Sequence, residues 1–168
     1  MKKLILFAAF AVVAQTAMAQ EYAVPANYKL ESAADYPRYE KDVVKAIDWL
    51  QHTPPGASDK KQKATAFIVQ WISGSPDVTI NVDAGLTNEV SANPEMSVIY
   101  LCGCLRYALL NPTAQGNHVK VNTAGVEQVI DYYQRNKDLL KHDPKIDALN
   151  KKYNNKTLES YVKGKMPK

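Results

Sequence analysis

Between Pro94 and Leu110 the chain is apolar in every direction that a helix can point. Met96, Val98, Ile99, Leu101, Leu105, Leu109 and Leu110 surround the helical wheel, and beyond the first turn only Arg106 carries a charge. A helix without a polar face has to be covered on all sides. A charge at its middle argues against lipid as the cover, so other parts of the same chain must supply it. Asn93 caps this segment, Pro94 opens it and Glu95 complements the dipole. The expectation is a central buried helix around which the remaining elements pack.

Those elements are mostly helical too. Tyr39, Val43, Ala46, Ile47 and Leu50 form one apolar stripe on a helix expected from Pro37 to Gln51, with Asp35 as N-cap and Thr53-Pro54-Pro55-Gly56 as the stop. Ala64, Phe67, Ile68, Trp71 and Ile72 give a second stripe, from Asp59 to Ser73, with Ser58 or Asp59 as cap and Gly74 as a left-handed terminator before Pro76. Val126, Val129, Ile130, Tyr133 and Leu140 place a further helix from Thr123 to Lys141, and Tyr132-Tyr133 point in adjacent directions, so one is expected to face out. Two short helices follow, Pro144 to Lys152 and Thr157 to Lys163. Residues 20–34 have no period and read as an irregular lead-in. Residues 77–83 alternate, with Val78, Ile80 and Val82 between polar neighbours, and Val119-Lys120-Val121 could pair with them. A two-stranded ribbon and a lone extended segment both stay open. The fold class is therefore mainly α, a compact bundle of five or six helices around a central buried helix, with or without that ribbon.

The N-terminus reads as an export signal. Met1-Lys2-Lys3 is a positive start, Leu4 to Val13 is unbroken apolar sequence, and Ala17-Met18-Ala19 has small residues where a signal peptidase cuts. The apolar run is shorter than the roughly 20 residues that span a bilayer. Residues 1–19 are expected to be removed, leaving 20–168 as a single helical domain, periplasmic or secreted, with no membrane span of its own. Residues 142–168 hold seven lysines against three acids, while 20–141 are close to neutral. That is a basic tail on a balanced body, not the stripe of a nucleic-acid binder, and nucleic acid is not an expected partner.

Chemistry-bearing motifs are sparse. The sequence contains no H-E-x-x-H, C-x-x-C, G-x-S-x-G, P-loop or G-x-G-x-x-G, and neither a metal nor a cofactor is expected. Asp77-x-Thr79-x-Asn81-x-Asp83 has calcium-loop spacing, but Val82 stands where the loop needs Gly and Asn88 where it needs the closing acid. Asp48 and His52, four apart, could share a ligand or a proton, or simply cap a helix end. Cys102 and Cys104 point about 200° apart on a helix, which forbids a bridge between them. They are expected to be buried, inert thiols.

The most informative segment is Tyr100-Leu101-Cys102-Gly103-Cys104-Leu105-Arg106-Tyr107. Gly in a helix interior costs about 1 kcal/mol relative to Ala, so Gly103 should face a close helix crossing or a ligand. Arg106 needs a carboxylate, and Glu127 and Asp131 on the following helix are candidates. Tyr100, Gly103, Arg106, Tyr107, Glu127 and Asp131 thus form the candidate binding set, read either as a structural ion pair at a tight crossing or as a pocket for an anionic group.

Tyr36-Pro37-Arg38-Tyr39-Glu40-Lys41-Asp42, Trp71-Ile72-Ser73-Gly74-Ser75-Pro76, Arg106-Tyr107-Ala108-Leu109 and Ala124-Gly125-Val126-Glu127 with Tyr132-Tyr133 resemble a set of small exported helical proteins of Bacteroidota-type bacteria. The resemblance implies a helical fold and export, and brings no activity or site residues with it. The functional expectation is an exported non-catalytic protein that binds a partner protein or small ligand. An inhibitor or immunity protein of the periplasm is the alternative, and an enzyme with an unfamiliar site near Arg106 is another.

Overall fold

The computed structural model describes residues 22–91 and 93–166. The expected export signal, residues 1–19, lies outside them. Among the described residues, seven α-helices run in the order α1 (Tyr36–His52), α2 (Asp59–Gly74), α3 (Ala84–Val90), α4 (Pro94–Leu110), α5 (His118–Arg135), α6 (Pro144–Asn154) and α7 (Leu158–Lys165), with single 3-10 turns at Ala33–Asp35 and Pro112–Ala114. No strand occurs among the described residues, and none of their helices is long and apolar enough to cross a membrane.

The central helix is α4, and its covering comes from two separate cores. Met96, Ile99, Tyr100 and Cys104 join α3, α5, α6 and α7, where Leu86, Val126, Val129, Ile146, Leu149 and Val162 are buried. Cys102, Leu105 and Ala108 face the other way, onto Val43, Ile47, Phe67, Ile68 and Trp71 of α1 and α2. Each such fully buried apolar side chain is worth about 1.5–3 kcal/mol relative to exposure. Cover thins at both ends of α4: Pro94 and Leu110 are exposed, and Val98, Leu101, Arg106 and Tyr107 are half-buried.

The α4–α5 pair is the most extensive helix contact, and two glycines make it so. A Cβ on Gly103 would lie 2.8 Å from the Gly125 Cα, and one on Gly125 would lie 2.5 Å from the Cys104 Sγ. Gly103 therefore answers to a close helix crossing, one of the two explanations its position allows.

Several expectations are corrected. Residues 77–83 form no ribbon, because Val119 and Val121 lie in the first turns of α5, which begins at His118 rather than Thr123. Asn122, fully buried, does the pairing instead. Its Oδ1 accepts from the Asp83 N–H (3.1 Å) and its Nδ2 donates to the Asn81 carbonyl (2.9 Å), so one side chain replaces a neighbouring strand. Asp83 then caps α3, accepting from the Leu86 N–H at 2.8 Å. Helix α5 stops at Arg135, short of Lys141. Both Tyr132 and Tyr133 are buried. Tyr132 donates to Glu95 (2.9 Å), and the Tyr133 hydroxyl accepts from the Asp143 N–H (2.9 Å). Gly74 is not left-handed; it ends α2 where a Cβ would collide with the Tyr36 hydroxyl. The irregular lead-in is packed down, with Tyr28 edge-on to Phe67 at 4.8 Å.

Candidate functional site

Where α1 ends against α4 and α5, the three helices leave a cleft of about 590 Å³ whose outer wall carries Asn150 and Tyr153 of α6. The crossing at Gly103 lies at its base, and Arg106, Tyr107, Glu127 and Asp131 line it. Five of the six candidate residues are thus brought together. Tyr100 is not among them: it is fully buried in the core shared with α5, and its hydroxyl donates to the Asn122 Oδ1.

Arg106 does not pair with Glu127 or Asp131. Its Nε donates to the Asp48 Oδ1 of α1 at 2.7 Å, because Arg106 leans to the α1 side of α4. The pair is partly open, with 40% of the Arg106 side chain and 45% of the Asp48 side chain exposed. Asp131 is taken by Arg135, one turn on. His52 does not share a proton with the Asp48 carboxylate; its Nδ1 meets the Asp48 backbone carbonyl at 2.7 Å, which makes Nδ1 the protonated nitrogen. The reading in which Arg106 holds an anionic group loses its main support, since both cleft arginines already have carboxylates.

Glu127 keeps no ion pair or hydrogen bond among the described residues. Desolvation at the cleft wall, together with the nearby Glu159 carboxylate, raises its carboxyl above the usual range.

The residue that sequence reasoning missed is Gln51. It is only 7% exposed. Its Nε2 donates to the Gln128 carbonyl (3.0 Å) and to the Asp131 Oδ2 (2.9 Å). Both partners accept only, so the orientation of the amide is determined. The Gln51 Oε1 is left buried with no donor, and the Nε2 atoms of Gln128 and Gln134 on the same cleft wall are also unpartnered. Leaving such an atom buried and unpaired costs about 1–3 kcal/mol. A Gln next to Leu50 at the flank of the α1 stripe was the one available signal, and it resembles an ordinary boundary residue.

The wall contains no Ser, Thr, Cys or Lys; its reactive side chains are His52, Tyr107, Tyr153 and the carboxylates. Cys102 and Cys104 are free and buried on opposite sides of α4, and burial pushes both thiols up to about 12. No group of three or more His, Cys, Asp or Glu side chains among the described residues is placed to hold a metal. Lys61 of α2, a buried charge, is satisfied: it pairs with Glu95 and donates to the Pro54 carbonyl at 2.8 Å. Comparison with protein families, with curated proteins and with solved structures finds no match for this chain.

Proposed function

We propose that this is an exported, non-catalytic binding protein, with residues 1–19 as its export signal and the cleft between α1, α4, α5 and α6 as the seat of a small ligand. One observation carries the reading. Two acceptors fix the Gln51 amide nitrogen, so that its oxygen, buried behind the cleft wall, has no protein donor. Fold stability alone gives no reason to keep that arrangement, since an apolar side chain would avoid the cost of an orphaned oxygen. A ligand that displaces the side chains over this oxygen and supplies the donor turns the cost into affinity. The volume is of the size that small-molecule sites have, and its lining of amides, carboxylates and two tyrosines is more polar than most of them.

Amide chemical-shift mapping of the purified protein against pooled small amines, acids and sugars tests this. The expected result is saturable shifts confined to the last turn of α1, the second halves of α4 and α5, and α6. Gln51→Met should keep the fold and lose those shifts. Saturable shifts elsewhere with none in the cleft, or no saturable shifts at all, would overturn the proposal.

A further inference from the structure

We infer, on the footing that the cleft is a ligand seat, that its ligand is a small organic cation presenting a primary ammonium or guanidinium group. Of the five carboxylate and guanidinium groups on the wall, four are matched: Arg106 with Asp48, and Arg135 with Asp131. Glu127 is the remainder, so the cleft carries one uncompensated negative charge, and Glu159 stands close enough to add to it.

The hydrogen-bonding inventory points the same way. The buried orphan whose identity geometry determines is an acceptor, the Gln51 Oε1. Glu127 and the second oxygens of Asp48 and Asp131 are also acceptors. The amides of Gln128 and Gln134 hold no side-chain partner through their unpartnered nitrogens, so either can turn over and present oxygen. A ligand that brings donors satisfies these acceptors. Ammonium and guanidinium groups are donors only. Tyr107 and the half-exposed Tyr153 add ring faces at the rim, which attract cations within about 6 Å.

Titration of the purified protein, followed by amide chemical shifts, with agmatine, n-butanol and butanoate separates the possibilities. Agmatine carries both cationic groups, and the other two share its alkyl length with neutral and negative heads. The expected outcome is saturable agmatine shifts at Gln51, Gln128, Gln134 and Tyr153, weakened at least tenfold by Glu127→Gln with unchanged melting temperature. Cleft shifts from butanol or butanoate but not from agmatine would overturn the cation assignment and leave the ligand seat standing. Agmatine binding that survives Glu127→Gln, or shifts scattered over the acidic surface, would also overturn the assignment. Silence from all three probes, together with a silent pooled screen, would remove the seat as well.

Discussion

One methyl group placed on Gly103 interrogates the packing of the whole bundle. Its Cβ would lie 2.8 Å from the Gln128 Cβ, 2.8 Å from the Gly125 Cα and 2.9 Å from the Ala124 carbonyl oxygen. Non-bonded carbons rest at about 3.5–4.0 Å, so each carbon contact is short by roughly 0.7 Å or more. Two of the three atoms are backbone and cannot rotate aside. Helix α5 must move away from α4, along the most extensive helix contact in the molecule. Overpacking of this kind costs about 1–3 kcal/mol, and an immovable backbone places Gly103→Ala at the upper end. Alanine recovers about 1 kcal/mol of helix propensity. The net expectation is a loss of about 2 kcal/mol, or a melting temperature lower by roughly 4–8 °C for a domain of this size. Urea unfolding followed by both far-ultraviolet circular dichroism and tryptophan fluorescence measures it. Gly164→Ala in α7 is the control, because nothing lies within 4 Å of its added Cβ, and it should be neutral or stabilising. Gly125→Ala should cost as much as Gly103→Ala, and the double variant less than the sum, since a helix once displaced accommodates the second methyl. A Gly103→Ala protein as stable as the parent would refute the reasoning.

Asn122→Ala should cost about 2–4 kcal/mol, since it strips partners from the buried Tyr100 hydroxyl and from residues 81–83; hydrogen exchange should rise first in α3. Arg106→Met should change stability by less than about 1 kcal/mol, because its ion pair with Asp48 is open to solvent; a larger loss in denaturant melts would show that the pair is structural. Glu89 should make the docking of α7 acid-sensitive. Partial burial pushes its carboxyl up, but hydrogen bonds from Lys165 and Tyr161 outweigh this and hold it below the ordinary value. A lowered carboxyl stabilises the folded state fully above its unfolded value of about 4.3, and the contribution disappears as pH falls through the lower folded value. Glu89→Gln should remove that pH dependence from α7 exchange rates.

The helices with long stripes and side-chain caps were legible in the sequence. Ser58 and Asn93 cap α2 and α4 as read, accepting from the Lys61 and Glu95 N–H groups. Helix α3 was not legible, because its two buried residues, Leu86 and Val90, give one repeat of the period and stand beside an alternating stretch. The start of α5 was hidden by the same cause: Val119 and Val121 alternate like a strand, and only Asn117, which caps the helix by accepting from the Lys120 N–H, marks it. The cleft was half legible. A lone Arg and a Gly on an apolar helix pointed to the right neighbourhood, but spacing along one helix cannot say which neighbour faces it. Glu127 and Asp131 were chosen by sequence proximity, whereas Asp48 reaches Arg106 from 58 positions away.

A helix with one buried side can peel off while the remainder stands. Helix α4 has two, each completing a different half of the interior, so neither half can open without tearing the other. The amides of Cys102 to Leu105 should therefore be the last in the chain to exchange with deuterium, at a single rate. Both thiols should react with a labelling reagent only at that rate, a pair of clocks for rupture of the whole.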